Sequence, residues 1–289
     1  MKEETKDSRT HMLHVNTRQK DFYESRFEAQ YTLQQIAERS ANAPTNLWTW
    51  MRYQLKKARK SVGVDDYLYT LHKKWMQELD LKQARVLDLG CFAGNPLSLW
   101  IAENCADYTG IDLSEQATAL LDAKLREHQL THARAYAQDF LANSYPDNHF
   151  DLIYAFSVLH HFKDMSVMLD ELYRVLKPGG VIISFDPLKT EPLNRLARTL
   201  YRPLQSDRDW EWPFDRKTFH LLQTYFNIEE AQGVFGMMKL GLPFQVVPGL
   251  GGIGRAVGRW GMEYDRTHSR GLNLSFFLCW QATLRLRKS

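Results

Sequence analysis

The feature that most constrains the fold is an alternation of short apolar runs with helical stretches, which begins at Arg85. The runs are almost continuously apolar, as in strands buried on both faces of a parallel sheet. Strands that alternate with helices pair in parallel through right-handed crossovers. We therefore predict an α/β fold built on a doubly wound, Rossmann-like, mostly parallel sheet. The predicted strands span 85–89, 107–112, 133–138, 150–156 and 181–185, and the predicted helices 97–104, 115–128 and 165–176.

The segments on either side of this alternation complete the predicted organisation. Two later strands, 226–231 and 275–284, bring the sheet to seven strands at one edge. A helical spacing of apolar residues runs from Phe22 to Leu79, and the polar first 15 residues are predicted to fray. We predict an N-terminal helical lid over residues 1–80 and one domain over residues 81–289, with an insertion at about 234–270 before the last strand.

Composition excludes several classes of protein. No apolar run reaches the roughly 18 residues that a membrane span needs, and the N-terminus is charged rather than apolar. Three cysteines, Cys91, Cys105 and Cys279, show no metal-ligand spacing, so we predict no metal site and a reducing compartment. The expected location is cytoplasmic, with peripheral contact at a membrane surface as an open alternative.

Charge is distributed unevenly along the chain. Residues 81–187 carry 8 Lys/Arg and 14 Asp/Glu, a net −6, whereas residues 188–289 carry 15 and 9, a net +6. An acidic centre with basic flanks suggests that the flanks meet any anionic partner. Chance variation in a solvated surface is an almost equally good explanation.

The loop after the first predicted strand has the residues of a ligand cradle. Gly90 and Gly94 lack a Cβ, so the backbone can turn tightly and approach a ligand closely. Asn95 is predicted to be the N-cap of the next helix, with Pro96 in its first turn. The free N–H groups at that helix start suit a carboxylate.

Acidic residues follow the next two strands, at the edge of the sheet where such folds bind ligands. Asp112 ends the second strand, where an acid accepts hydrogen bonds from ribose hydroxyls. Asp139 follows the third strand and is placed to accept from an adenine amino group, with Phe140 packing on the ring.

An ordered series of motifs then resembles the class I S-adenosylmethionine-dependent methyltransferases, and within them the ubiquinone and menaquinone biosynthesis branch. The resemblance covers about residues 81–187. A nicotinamide dehydrogenase is disfavoured by the spacing, and a P-loop by the absence of Gly-Lys-Ser/Thr. The matching blocks are Val-Leu-Asp-Leu-Gly-Cys (86–91), Gly-Ile-Asp-Leu-Ser (110–114), Gln-Asp-Phe (138–140), Phe-Asp-Leu-Ile (150–153), Val-Leu-His-His-Phe (158–162) and Leu-Tyr-Arg-Val-Leu-Lys-Pro-Gly-Gly (172–180).

The resemblance implies S-adenosylmethionine as cofactor and assigns its contacts. The loop after the first strand would line the methionine part, Asp112 would hold the ribose, and Asp139 and Phe140 would contact adenine. Backbone groups at Ala155 and Phe156 would face the methionine amine. The implied cofactor-binding residues are Gly90, Cys91, Phe92, Gly94, Asp112, Leu113, Asp139, Phe140, Ala155 and Phe156.

Phe92 departs from the family pattern, which has glycine at this position. A side chain here could reshape the loop or cover the cofactor, and it leaves open a cofactor-binding but inactive regulatory protein. Since the other blocks persist, we expect cofactor binding to be retained.

No catalytic residue stands out. Methyl transfer from a sulfonium is an in-line displacement at an activated carbon, so positioning supplies much of the rate and a base is optional. His160 and His161 are candidate bases, although the family's histidine pair suits packing or cofactor support. Asp186 ends the fifth strand on the expected substrate side, and a turn-forming Asp-Pro explains it equally well.

The flanking segments predict a small-molecule or lipid-like acceptor. On a helical wheel for residues 192–202, three leucines oppose three arginines, which suits either an ordinary helix covering the sheet or a basic helix at a lipid surface. Trp48 and Trp50 precede a basic stretch, and residues 234–262 are apolar and glycine-rich. Nucleic acid is a rival acceptor. The acidic core and the lack of an Asn/Asp-Pro-Pro-Tyr/Phe block after Tyr154 argue against it.

Overall fold

The computed structural model describes residues 2–28, 56–202 and 211–289, and it confirms the doubly wound α/β fold. Seven strands lie in the order β3-β2-β1-β4-β5-β7-β6, and all neighbours are parallel except β5 with β7 and β7 with β6. The strands are β1 Arg85–Leu89, β2 Asp107–Asp112, β3 Ala133–Ala137, β4 Phe150–Phe156, β5 Leu176–Pro187, β6 Asn227–Val234 and β7 Gln281–Arg287.

Helices cover both faces of the sheet, and the buried apolar residues form three clusters. One packs helices α1, α5 and α7 against the sheet, a second packs α2, α3 and α4, and a third joins the start of α2 to Phe185 and Phe235. The helices are α1 Lys2–Glu28, α2 Val64–Gln77, α3 Ser98–Asn104, α4 Glu115–Glu127, α5 Met165–Val175, α6 Pro192–Tyr201, α7 Arg216–Tyr225, α8 Leu242–Val246, α9 Gly251–His268 and α10 Leu274–Phe277. No helix among these residues is both long enough and apolar enough to cross a membrane.

The N-terminal segment differs from its prediction. The predicted fraying of residues 1–15 is wrong, because α1 begins at Lys2 and buries Met12 and Val15. Trp48 and Trp50 lie outside the described residues. Within the basic stretch that follows them, the Arg59 guanidinium is paired with Asp65.

Two element boundaries also differ. The Lys-Pro-Gly-Gly sequence does not separate a helix from a strand, because β5 starts at Leu176 and the four residues form an irregularity in its pairing with β4. The final strand starts later than predicted. Its apolar first part forms α10, which Asn273 caps by accepting from the Phe276 amide, and this part packs in the core.

His72 ties helix α2 to the sheet. Its Nε2 lies 2.7 Å from Thr283 Oγ1, and its Nδ1 lies 3.0 Å from the Tyr154 hydroxyl. Thr283 gives its single hydroxyl hydrogen to the Ser184 carbonyl oxygen, so His72 Nε2 is the protonated nitrogen and Nδ1 accepts from Tyr154. Complete burial lowers the pKa of His72 from 6.5 to about 3.

We expect His72→Gln to remove part of the protein's acid sensitivity. Between its folded pKa of about 3 and the ordinary value of 6.5, His72 binds a proton only in the unfolded chain, so stability falls as the pH falls through this window. From pH 7 to pH 5 the wild type should lose about 2 kcal/mol of unfolding free energy more than the variant. Denaturant titrations at both pH values measure this. Exposed His128 is the control, since His128→Gln should follow the wild type, and equal losses in all three proteins would contradict the assignment.

Candidate functional site

The predicted ligand-binding residues lie at the carboxyl ends of β1, β2, β3 and β4. This edge, where neighbouring crossovers run to opposite faces of a parallel sheet, is where doubly wound folds bind ligands. Among the described residues no group of histidine, cysteine and carboxylate side chains has the arrangement of a metal site.

The loop after β1 is held by the strand beside it. The amides of Gly90 and Cys91 donate to the Ile111 carbonyl oxygen at 2.8 and 3.0 Å. Gly90 has φ +68°, and a Cβ there would lie 2.6 Å from Val158 Cγ2. The loop after β1 therefore packs on the loop after β4 with no space for a side chain. Cys91 is buried, which raises the pKa of its thiol well above the ordinary value and keeps it neutral.

Asp88 anchors the far side of the same loop, a role that no sequence motif indicates. Its buried carboxylate accepts from the Ser98 hydroxyl at 2.6 Å and the Tyr108 hydroxyl at 2.7 Å. Burial raises its pKa to about 6. The Asn95 amide also donates to it, at 3.2 Å. The prediction that Asn95 caps α3 is wrong, since the helix starts at Ser98 and Asn95 instead accepts from the Leu97 amide in a turn.

Phe92 keeps the backbone conformation that a glycine would adopt. Its φ is +48°, in the left-handed region that L-residues rarely enter, and its amide donates to Asp112 Oδ2 at 3.1 Å. The loop thus has the shape of a glycine loop although the side chain is large. Gly94, at φ +94°, completes the turn.

We expect Phe92→Gly to be more stable than Phe92→Ala by about 1 kcal/mol. Both variants lose the aromatic ring, but only glycine adopts a φ of +48° without steric cost. Thermal or denaturant unfolding of the pair measures the difference. If the alanine variant were as stable as the glycine variant, the backbone at this position would not be under strain.

Asp112 joins the glycine loop to the start of α4. Its Oδ2 accepts from Phe92 and its Oδ1 accepts from the Ser114 amide at 3.0 Å. Burial raises the pKa of this carboxyl, while the backbone donors oppose the shift. Leu113 lies between the two, partly exposed at the same edge.

Asp139 is covered by α1. The Asn16 side-chain amide lies 3.0 Å from both of its carboxylate oxygens, and the Leu141 amide donates to Oδ1 at 2.9 Å. Phe140 is buried in the core beside Met12 rather than standing free at the edge. The sequence offered no signal for Asn16, because its partner lies 123 residues away and no local pattern links them.

The carboxyl ends of β4 and β5 place aromatic rings and a histidine–carboxylate pair together. Ala155 is buried, and the Phe156 ring stacks on Phe185 at 5.0 Å. On the other face of β5, Asp186 Oδ1 accepts from His160 Nδ1 at 2.8 Å and from the His160 amide at 3.1 Å. The His161 ring lies 4.2 Å from that of His160.

One oxygen of this pair has no partner. Asp186 and His160 are both buried, yet Asp186 Oδ2 makes no hydrogen bond within the described part of the chain. A buried carboxylate oxygen without a donor is costly, which makes the position a candidate for contact with a bound molecule. Of the three catalytic candidates, the structure thus brings His160 and Asp186 into contact.

The chain is similar in sequence to known methyltransferases. Residues 87–184 match the methyltransferase domain family. The chain is 32% identical over 111 residues to sterol 24-C-methyltransferase erg6 of Aspergillus fumigatus, covering 37% of this chain and 29% of that protein. It is 30% identical over 132 residues to 2-methyl-6-phytyl-1,4-hydroquinone methyltransferase of Synechocystis, covering 44% and 40%. The chain therefore matches less than half the length of these relatives.

Two solved structures share the fold. The YcgJ protein of Bacillus subtilis has a TM-score of 0.52 at 18% identity, over 76% of this chain and 98% of that one. A geranyl diphosphate C-methyltransferase from Streptomyces coelicolor has a TM-score of 0.51 at 13% identity, over 80% and 84%. At these identities the likeness is one of fold alone.

Proposed function

We infer that this chain carries a class I S-adenosylmethionine-dependent methyltransferase domain. From that premise we propose that it transfers a methyl group to a small-molecule or lipid-like acceptor. The observation that carries the proposal is the arrangement at one sheet edge. The tight loop at Gly90 lies beside two carboxylates, Asp112 and Asp139, at the ends of β2 and β3. This set fits a cofactor with a methionine part, a ribose and an adenine.

Different residues would contact the methionine, ribose and adenine parts of the cofactor. Backbone groups around Gly90 and at Ala155 would hold the methionine part, where a Cβ at position 90 would clash with Val158. Asp112 would accept from the ribose hydroxyls and Asp139 from the adenine amine. When bound, S-adenosylmethionine supplies a methyl group on a sulfonium. The chain's task is then to bind, to orient the acceptor and to exclude water.

We propose that α1 serves as the lid over the adenine half. Met12 and Val15 are buried against the domain, and Asn16 occupies the acceptor oxygens of Asp139. Farther along the helix, Lys20 pairs with Glu115. The contacts of α1 with Asp139 and Glu115 are polar, so this part of the helix can separate from the edge at a lower cost than an apolar surface would. Helix α2, which His72 joins to the sheet, would instead form a fixed part of the lid.

An aromatic cluster beside the carboxyl end of β5 would give an apolar acceptor its surroundings. Phe185 and Phe235 are buried in this cluster, and Phe156 is its partly exposed member. Phe185 stacks on Phe156, and the Arg59 guanidinium lies 5.9 Å from the Phe185 ring and 5.5 Å from Phe235. Phe235 in turn stacks on Trp280 at 6.0 Å. The names of the similar enzymes, a sterol and a prenylated hydroquinone methyltransferase, point to acceptors of the same apolar kind.

We propose a cytoplasmic protein that meets such acceptors by peripheral contact with a membrane. An apolar acceptor partitions into lipid, so an enzyme without access to a bilayer would find little of it free in water. The glycine-like backbone at Phe92 supports cofactor binding, and methyl transfer is what separates an enzyme from an inactive binding protein.

The deciding experiment combines binding and transfer. Calorimetry should show saturable binding of S-adenosylmethionine and S-adenosylhomocysteine. Labelled methyl should then pass to a sterol or prenylated hydroquinone dispersed in vesicles, and not to RNA or DNA. Asn16→Ala should change the affinity for S-adenosylhomocysteine, while Thr17→Ala, on the exposed side of α1, should not. Binding without transfer to any acceptor would support a regulatory protein, and absence of binding would refute the cofactor site.

A further inference from the structure

Exposed apolar side chains are concentrated in one part of the chain. Among the described residues, ten of the twelve large apolar side chains that are exposed lie between residues 193 and 278. Single exposed leucines are normal on a soluble surface, but a concentration of them marks an interaction site. The ten are Leu193, Leu196, Leu200, Leu240, Phe244, Val247, Ile253, Trp260, Leu274 and Leu278.

Helix α6 turns its leucine face away from the protein. Leu193, Leu196 and Leu200 are 73%, 57% and 70% exposed. These three leucines therefore do not pack on the sheet. Arg198, on the opposite face, is mostly buried beside Glu211. An amphipathic helix in this orientation offers its apolar face to something outside the domain.

Helix α9 is turned outward in a similar way. Its buried residues are Gly254, Gly258, Gly261 and Asp265, and a Cβ at Gly261 would lie 2.5 Å from the Met238 amide nitrogen. The outer side carries Trp260, which is 55% exposed, and the exposed Arg255 and Arg259. Tryptophan and arginine together are typical of the interface between lipid headgroups and acyl chains.

The two helices belong to one structural block beside the acceptor end of the sheet. Glu191, the N-cap of α6, lies 3.8 Å from Lys239 in the turn that packs on α9. The Thr190 hydroxyl donates to the Phe277 carbonyl oxygen at 2.6 Å. Since Pro187 ends β5 only five residues before α6 starts, this block adjoins the edge that holds Phe185 and Asp186.

We propose that an apolar-basic face, made of Leu193, Leu196, Leu200, Ile253, Arg255, Arg259 and Trp260, docks on an anionic lipid bilayer. The proposal rests on the proposed function, because a bilayer would hold the lipid-like acceptor next to the acceptor end of β5. Leucines and tryptophan enter the headgroup region while arginines meet lipid phosphates. Charge favours this occupant, since residues 188–289 carry a net +6 beside a core of −6.

The test is co-sedimentation of the full chain with two kinds of vesicle, phosphatidylcholine alone and phosphatidylcholine mixed with phosphatidylglycerol. We expect pelleting with the mixed vesicles that weakens as salt is raised. The variant L193S/L196S/L200S should lose about a hundredfold in partitioning, because three leucines no longer enter the apolar layer. Leu120→Ser, at an exposed leucine on α4, is the matched control and should bind as the wild type does.

A second variant tests the charge. R255E/R259E should lose the preference for anionic vesicles that the wild type shows. Equal binding of the wild type to both vesicle types would overturn the anionic partner, and failure of the wild type to pellet would overturn the membrane. Self-association that the leucine variant abolishes would show that the occupant is a second copy. Calorimetry with S-adenosylhomocysteine on each variant confirms the fold, and a wild type that pelleted but did not bind this molecule would refute the cofactor site alone.

Discussion

Replacing Gly90 with alanine is expected to abolish S-adenosylhomocysteine binding and to lower the free energy of unfolding by roughly 3 kcal/mol. Two costs add at this residue. Its φ of +68° is unfavourable for any residue with a Cβ, and the new methyl group would lie 2.6 and 2.8 Å from Val158 Cγ2 and Cβ. Because those Val158 atoms are close to the backbone, the loop after β4 must move with them. That loop leads to His160.

Gly179→Ala separates the two costs. Gly179 has a similar φ, +76°, but a Cβ there meets nothing within 4 Å, so its loss should be about 1 kcal/mol and cofactor affinity should be unchanged. Denaturant titration and calorimetry of both variants provide the comparison. Equal losses of stability would mean that Val158 adjusts without cost. Retained affinity in Gly90→Ala would place the cofactor elsewhere.

The second large effect is expected at the buried pair. We propose that His160 would accept a proton at Nε2 from the nucleophilic atom of the acceptor, while Asp186 holds Nδ1 and stabilises the charged ring. Bound S-adenosylmethionine would supply the methyl group that this atom takes up in place of the proton. His160→Gln should then lower turnover by a hundredfold to ten-thousandfold. The control His161→Gln should have little effect.

Asp186→Asn distinguishes this role from packing. The Asn side chain can keep an oxygen at the position that accepts from the His160 ring and amide, so the geometry survives while the charge is lost. We expect turnover on the acceptor found in the transfer assay to fall sharply while S-adenosylhomocysteine affinity remains. Equal turnover in His160→Gln and His161→Gln would contradict the base assignment.

The strands of the sheet could be predicted closely, because a strand that is buried on both faces is an almost continuous run of apolar residues. β1, β2 and β4 begin and end where their apolar runs do. Helix α1 has no such signal, because Asn16 is polar and faces Asp139, a partner that only the folded chain brings near. The predicted start of β7 is too early for the opposite reason. The run around Phe276 is apolar because a helical turn is buried there, not because it pairs as a strand.

In the site, too, some features could be predicted from the sequence and others could not. Positions after the strands could be predicted, since an acid at the end of a parallel strand lies at the binding edge whatever surrounds it. The contact between His160 and Asp186 could not, because it depends on the pairing of β4 with β5 and on the turn after β4. The outward leucine face of α6 was equally inaccessible, since a helical wheel gives two faces but not which of them meets the protein.

The attachment of α2 through His72 has a consequence for redesigning this protein. One imidazole joins β4 at Tyr154 to β7 at Thr283, two strands that flank β5. Exchanging residues 64–77 for those of another enzyme would remove a brace across three strands and would disturb the foundation of the site. The segments 192–201 and 235–280 attach near the rim instead. A designer who wishes to graft a new acceptor preference should therefore vary those two segments and leave the braced helix intact.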